Sequence, residues 1–563
     1  MGTDSNDDDL SNDERRELEE LRAENARLAE ENRVLREQLA SKAGSGRGGV
    51  SGQSEHERLR QKAEAQRAAK RRRAAARMAT QLTPRRRGKR SSRPPFVPDE
   101  VVVHDVAVGG RPSDAAPNGF VDRPFSGVRI VRHNVLVRLH EYISPTQGRT
   151  VAKLPDGWSG EFTPDTLVTI NTLSIGGVTE PKIKELFADH GVSISAGQIN
   201  HILLTTADRL REEQLAAHRA GMENSPVVGI DGTHSTCDGE PMVCHIVGNE
   251  AFTSMSTTEH KDRVTVIGVL AGEAVGHCVG DHALAHPDLG VTAREMLRRV
   301  SNGEPVGEEA DAELVGLSNE LRTQGLDAVK MDRFLARAMP AAGADTLRQI
   351  REATAGQWLR SILAFLPLVM LADGGTNYHG ILAFLQLCWI HMLRPFSLTE
   401  SADSERVLNE GWLLYRRLCA WRDARDPLEA AAIGAEFDRV FDSQRCTDES
   451  VRHQVSLTRT HKDDLLTLLR HPYTPAENNG QERAAKARVR KRDISFGPRS
   501  ARGLRAWDTM QSVVGTLRKL HISPAAFIAD RATHGRRFER LDVLVKNECF
   551  RRYGPRSGMT GTF

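Results

Sequence analysis

The chain has 563 residues, enough for several domains, and 78 Lys and Arg against 75 Asp and Glu leave a net charge of only +3. No stretch approaches the roughly 18 uninterrupted apolar residues of a membrane span, and the acidic residues 1–13 lack the apolar core of a secretory signal. Seven cysteines without a CxxC pair predict neither a zinc site nor a disulfide framework. We therefore expect a cytoplasmic protein with no membrane association.

Residues 1–41 are predicted to be an acidic N-terminus followed by a leucine-zipper coiled coil. Leu21, Leu28 and Leu35 lie seven residues apart as d positions, and the a positions include Asn25 and Asn32. Asparagine at a favours a parallel two-stranded register, so these heptads predict a homodimer. The alternative is a single solvated helix.

Positive charge is concentrated in residues 42–98, which we expect to be a flexible basic linker. Residues 58–93 contain 15 Lys or Arg and a single acid, Glu64. A local density of this kind indicates a polyanionic partner, most simply nucleic acid, and the alternative is a solubilising tail. The clusters expected to contact phosphates are Lys70, Arg71, Arg72, Arg73, Arg85, Arg86 and Arg87.

Two smaller regions are predicted before the core. Residues 99–160 contain short β-like runs among Gly and Pro and predict a small β-rich module. Residues 161–222 predict a helical, helix-turn-helix-like DNA-binding region, with one helix from Thr179 to Gly191 and a second from Ala196. Gln198 and Asn200 would then face a DNA groove, whereas an ordinary helical hairpin is the alternative.

The core is predicted over residues 223–530, with a basic C-terminal tail at 531–563. Four strands are expected, followed by an amphipathic helix Tyr378–His391, helices over 400–470, and a basic helix over 477–490. A helical insertion is expected at about 280–360, before the fourth strand. The expected strands are Val227–Asp231, Met242–Val247, Phe252–Thr257 and Leu366–Ala372.

Three carboxylates in this core form the candidate catalytic set. Asp231 ends the first strand, Asp373 follows the fourth, and Glu482 lies on the basic helix. Such a set can hold two divalent ions around a phosphodiester. Oxygen ligands suit Mg²⁺ or Mn²⁺ rather than zinc. Asp281 is a rival for the second acid, although no apolar strand precedes it.

Basic residues following Glu482 are candidates for contacts to DNA phosphates near the cut. The alternative is a solvated basic face. The candidates are Arg483, Lys486, Arg488, Arg490, Lys491 and Arg492.

Together, five short motifs resemble the transposases of the insertion sequence sixty-six family over about residues 160–530. The motifs are Ser225–Thr233, Asp373–Tyr378, Leu387–His391, Glu477–Arg483 and Phe496–Ser500. The resemblance implies an α/β RNase H-like core, with Asp231, Asp373 and Glu482 as the DDE residues and His391 at a phosphate in the active site. For His391 the alternative is a core histidine bonded to the backbone.

That resemblance also implies a function and partners. We expect a bacterial DNA transposase that cleaves the ends of an element and joins them to target DNA, together with accessory proteins of the same element. The family often carries a cysteine-rich zinc module, but residues 99–160 contain no cysteine. The alternatives are an inactive or domesticated DNA-binding regulator, and a nuclease that cuts without joining strands.

Overall fold

A computed structural model describes residues 101, 131–155, 158, 160–307, 311–363, 365–535 and 537–555, all within one compact unit. The predicted zipper, the basic linker with its clusters at 70–73 and 85–87, and most of the 99–160 module lie outside the described residues. No helix within these ranges combines the length and apolar character that crossing a bilayer requires.

The described chain begins with an antiparallel hairpin and a three-helix unit. The hairpin pairs β1 (Glu141–Ser144) with β2 (Gly148–Val151). The helices are α1 (Pro164–Ile175), α2 (Glu180–Asp189) and α3 (Ala196–Glu223). They enclose a small core of their own, formed by Ile170, Ile183, Phe187, Ile194 and Ile199.

Local sequence signals explain where these helices begin. Thr179 is the N-cap of α2 and Pro181 lies in its first turn, as expected. Ser195 caps α3 through a capping box in which Gln198 returns a bond to the Ser195 backbone N–H. Between the two helices the chain reverses at Gly191, whose φ of +72° favours glycine.

The central element is a mixed five-stranded sheet flanked by helices. Its spatial order is β5–β4–β3–β8–β9, in which β3, β4 and β5 are antiparallel while β8 and β9 run parallel to β3. A short pair, β6 with β7, lies apart from it. The strands are β3 (Val227–Cys237), β4 (Glu240–Gly248), β5 (Thr253–Thr258), β6 (Gly276–His277), β7 (Leu326–Asp327), β8 (Val369–Ala372) and β9 (Phe384–Leu387).

Between β5 and β8 the described residues form six helices. The last five, between residues 281 and 362, surround a hydrophobic cluster that includes Leu297, Leu321 and Phe334. This segment therefore buries its own core beside the sheet. The helices are α4 (Arg263–Ala271), α5 (Asp281–Leu284), α6 (Val291–Asn302), α7 (Ala312–Thr323), α8 (Ala328–Ala338) and α9 (Ala344–Ile362).

Helices also dominate the chain after β9. Residues 541–553, inside the segment expected to be a basic tail, form a helix that buries Leu541, Val545 and Cys549 against the main core. The helices are α10 (Trp389–Leu393), α11 (Ala402–Ala424), α12 (Pro427–Val440), α13 (Glu449–Thr460), α14 (Lys462–Leu465), α15 (Thr467–Arg470), α16 (Asn479–Ser495), α17 (Ala501–Lys519), α18 (Pro524–Ala532) and α19 (Leu541–Tyr553).

The predicted amphipathic helix Tyr378–His391 is wrong. In the structure, Phe384–Leu387 forms β9, which pairs with β8 in parallel, and helix α10 begins only at Trp389. Short apolar runs do not distinguish a helix from a buried strand, and here pairing with β8 decides. Gln386 is buried within β9, where its side chain donates to Leu465 O (3.0 Å) and accepts from Leu468 N (2.8 Å).

Candidate active site

The topology of the sheet brings Asp231 and Asp373 together. Strands β3 and β8 are parallel neighbours, and Gly229 pairs with Leu371. Asp231 and Asp373 each follow that pair by two residues, so they lie side by side where β8 ends, at one edge of the sheet. The prediction that the first strand ends at Asp231 is wrong, because β3 continues to Cys237. Burial raises the pKa of Asp231, and the charge of Asp373 adds to that rise, as expected for neighbouring carboxylates.

Glu482 reaches the same edge because the first turn of α16 is bonded to the sheet. Asn478 Nδ2 donates to Ile230 O at 2.8 Å, and Gln481 Nε2 donates to Gly248 O at 2.6 Å. Both side chains are buried. Glu482 is thereby held near Asp231, whose pKa is raised by burial first and in smaller part by the charge of Glu482. The structure thus makes the three predicted acids neighbours, but their ligand atoms do not all lie within 4.8 Å of one another.

Burial and mutual repulsion make this edge electrostatically unfavourable for three anions. Burial is the main cause that raises the pKa of Asp231 to about 6, and the charges of Asp373 and Glu482 add to it. The backbone N–H of Gly232, 2.8 Å from Asp231 Oδ1, and the charge of Lys261 lower this pKa in part.

Two oxygen atoms at this edge could serve as ligands. Asp373 Oδ1 and Glu482 Oε1 are buried and accept no hydrogen bond from the described residues. A buried carboxylate oxygen without a donor costs free energy, which a bound cation would offset. His391 Nδ1 lies 3.7 Å from Glu482 Oε1, and both side chains are about three-quarters buried. His391 therefore neighbours the acid set, as expected.

Another set of possible metal ligands includes sulfur and nitrogen atoms and shares Glu482 with the three acids. One ligand atom each from Cys388, His391 and Glu482 lie within 4.8 Å of one another. Burial raises the pKa of the Cys388 thiol, and its Sγ accepts a hydrogen bond from Asn478 N at 3.4 Å. Sulfur and imidazole donors are typical of zinc, whereas carboxylates alone suit Mg²⁺ or Mn²⁺, and Glu482 belongs to both sets.

A second group of possible ligands is His286, Asp288 and Glu352, in the helical segment between β5 and β8. Arg263 already occupies it, because its Nη1 lies 3.2 Å from Asp288 Oδ2 and 2.9 Å from Glu352 Oε2. This group therefore forms an ion-pair network.

Sequence reasoning missed three residues at the edge that carries the acids. Lys261 Nζ lies 5.2 Å from the centre of the Tyr378 ring. Burial, then the charges of Asp373 and Asp231, raise the pKa of the Tyr378 hydroxyl. Tyr378 ends one of the quoted motifs and Asn478 lies within another, which could have drawn attention to both. No sequence signal indicated Lys261.

Of the six basic residues on α16, Arg488 does not reach the surface. Its side chain is fully buried, and Nη1 forms an ion pair with Asp508 at 3.0 Å. Nη2 donates to Thr257 Oγ1 at 2.9 Å and to Ser235 Oγ at 3.3 Å. The prediction that Arg488 contacts DNA is therefore wrong: its guanidinium joins α16 to β3, β5 and α17.

Lys491 and Arg492 are also partly engaged within the protein. Lys491 Nζ lies 3.3 Å from Ser174 Oγ, and burial lowers its pKa. Arg492 Nη1 donates to His234 O at 2.8 Å. The other three side chains are exposed on one face of α16, next to Glu482, and form a cationic stripe made of Arg483, Lys486 and Arg490.

The remaining candidates lie away from the acids. Gln198 and Asn200 are exposed, although Gln198 belongs to the α3 capping box and Asn200 Nδ2 donates to Glu180 Oε1 at 3.0 Å. Asp281 is exposed at the start of α5, which packs on α9. Of the two candidates for the second acid, Asp373 is the one placed beside Asp231.

No family model matches this chain. A distant relative does: the chain is 26% identical over 333 residues to the uncharacterized protein y4jO of Sinorhizobium fredii (strain NBRC 101917 / NGR234). The match covers 58% of this chain and 98% of that protein. The name of this relative gives no activity.

Gly229 provides a test of how closely α16 must approach the sheet. A Cβ at this position would lie 2.7 Å from both Asn478 Oδ1 and Gln481 Cδ. Because both side chains are bonded to the sheet, Gly229→Ala should lift the first turn of α16 and destabilise the protein by about 1–3 kcal/mol. Urea unfolding measures this change.

The matched control is Gly480→Ala, in the first turn of the same helix. None of the described atoms lies within 4 Å of a Cβ built there. Alanine should therefore stabilise the helix by up to about 1 kcal/mol. Equal stability of the two variants would show that the close approach at Gly229 does not hold α16.

Proposed function

We propose that the chain is a DNA transposase of the insertion sequence sixty-six type, with an RNase H-like catalytic core. The main observation in its support is that three acids lie near one another: Asp231 on β3, Asp373 just after β8 and Glu482 on α16. The strand order supports the proposal. Three antiparallel strands followed by two parallel ones, with an acid on the central strand, match the RNase H-like arrangement.

The proposed cofactor is a pair of Mg²⁺ or Mn²⁺ ions. Asp231, Asp373 and Glu482 would hold them, since all three offer oxygen and two of their oxygens lack a donor among the residues described. Such ions lower the pKa of water or of a DNA 3′-hydroxyl and stabilise the leaving 3′-oxygen. With the cations bound, the mutual repulsion of the three carboxylates would be offset.

Other side chains would bind and orient the DNA. The exposed cationic stripe runs beside Glu482, so phosphates flanking the scissile bond can contact it. Lys261, whose positive charge acts on Asp231, would contact the phosphate of the scissile bond beside the three acids. His391, next to Glu482, would fix the orientation of that carboxylate or donate to a phosphate oxygen.

Further parts of the proposal concern the assembly. The N-terminal heptads would join two copies in a homodimer, so that each copy holds one element end. The basic linker would add phosphate contacts independent of DNA sequence. Accessory proteins of the element would complete the assembly, on chromosomal DNA in the bacterial cytoplasm.

The test uses labelled DNA cloned from both sides of the coding sequence, with scrambled fragments as the control. The full chain should nick the natural fragments at a fixed position when Mg²⁺ or Mn²⁺ is present, and should then join the new 3′-end to a target plasmid. EDTA should abolish both products, and added Mg²⁺ should restore them.

Two outcomes would support other functions. Binding to DNA with no nick in either metal would indicate a regulator with an inactive site. Nicking without any joined product would indicate a nuclease. Failure to bind any fragment would overturn the proposal.

A further inference from the structure

Phe496, at the C-terminal end of α16, combines two unfavourable features. Its backbone φ is +59°, in the left-handed region where glycine is the usual residue. Its side chain is 87% exposed. A bulky side chain in this conformation costs free energy, and an exposed ring makes no packing contacts that would offset that cost.

The loop after Phe496 is fixed to the end of β3. A Cβ on Gly497, whose φ is +88°, would lie 2.6 Å from Thr236 Oγ1, so the backbone passes directly over that residue. Asp238 N donates to Pro498 O at 2.9 Å. The loop therefore fixes the backbone at Phe496, and its ring lies in solvent.

The surroundings of the ring indicate its partner. Helix α16 carries Glu482 in its first turn, then the cationic stripe, and ends at Phe496. An α-helix rises about 1.5 Å per residue, so the ring lies about 21 Å along the axis from Glu482. At about 3.4 Å per base along a strand, this corresponds to roughly six base steps.

We propose that Phe496 stacks on a base of bound DNA about six positions from the cleaved bond, and thereby opens the stack there. This rests on the proposed function, which supplies the DNA and the cut. An aromatic face stacks on any base, and an apolar side chain inserted between base steps unstacks them. The neighbouring stripe binds the phosphates that bring the base to the ring.

The first experiment separates this role from a structural one. Phe496→Gly removes both the ring and the backbone strain, so its melting temperature should rise. A ring that stabilises the fold would instead make the melting temperature fall, which would overturn the proposal. Leu428→Ala is the control, because Leu428 is 81% exposed at the start of α12, away from α16.

The second experiment places 2-aminopurine at successive positions of the cloned end fragment. With wild type and Phe496→Trp, fluorescence should rise at about six positions from the nick. With Phe496→Gly the rise should disappear and binding should weaken by roughly 5- to 150-fold, the range expected for one stacked base. Leu428→Ala should behave as wild type.

The outcomes distinguish the two proposals. If wild type nicks the fragment without any rise in fluorescence, or if Phe496→Gly binds equally well, the stacking proposal falls and the transposase proposal stands. If wild type neither binds nor nicks the fragment, both fall.

Discussion

Replacing Glu482 with Gln or Asp231 with Asn should lower the rate of DNA cleavage by roughly 10²–10³-fold or more, while DNA binding is retained. Each substitution removes one charged ligand but keeps the shape of the side chain. The cationic stripe and the basic linker, which would bind phosphates, remain unchanged. Cleavage of the labelled end fragment and a gel-shift titration measure the two effects separately.

The same Asp231→Asn substitution should stabilise the metal-free protein at neutral pH. The pKa of Asp231 is about 6 in the folded chain against an ordinary 3.8, so the folded state binds more protons between these values. Wild-type stability should therefore fall as the pH rises from about 4 through 6, and the loss should be complete above that range. The variant should lack this fall.

Thermal unfolding of wild type and Asp231→Asn across this pH range, without metal, checks this prediction. The same measurement with added Mg²⁺ tests whether the acids form a metal site. At about 100 times its dissociation constant, Mg²⁺ should add about 2.7 kcal/mol to the wild type and far less to either variant. Asp493→Asn is the matched control, since Asp493 is an exposed acid on the same helix. If the wild type gains no stability from Mg²⁺ or Mn²⁺, the acids do not form a metal site.

Arg488→Met should destabilise the protein by about 3–5 kcal/mol. The substitution leaves Asp508 buried without its partner, and burial already raises the pKa of that carboxyl. Because Arg488 also bonds to β3 and β5, α16 should shift and cleavage should fall. Chemical unfolding and cleavage assays measure the two effects.

A double variant separates two causes of the lost stability, the unpaired charge of Asp508 and the lost packing of the Arg488 side chain. Arg488→Met combined with Asp508→Leu removes both charges and should recover most of the lost stability. Arg490→Met, two residues further along the same helix, is exposed and should change stability by no more than about 0.5 kcal/mol. Equal effects of Arg488→Met and Arg490→Met would contradict the importance of the buried pair.

The sequence alone located four of the five strands in the central sheet and the three acids at its edge. Both aspartates were recognisable because an apolar run leads directly into a charge. Only Asp373 follows the end of its strand, however, because β3 continues past Asp231 to Cys237. Strand β9 was missed because its four residues carry too little periodicity to outweigh the apolar run around them. Its identity depends on pairing with β8, a contact between distant parts of the chain.

Arg488 shows a different limit of sequence reasoning. On a helix rich in Arg and Lys it resembles its exposed neighbours, yet its partner Thr257 lies 231 positions earlier. A signal was nevertheless present: Gln481, Ala485 and Arg488 share one helical face, and all three are buried. Lys261 offered no comparable pattern, because the fold alone brings its loop to Asp231.

The length of α3 determines how the three-helix unit can move relative to the central sheet. This helix continues without a break for 28 residues, about 42 Å, and packs against α17 and α19. A continuous helix offers no hinge, so the three-helix unit at its start cannot swing independently of the strands at its end. The helix therefore fixes a separation of about 42 Å between the three-helix unit and the sheet.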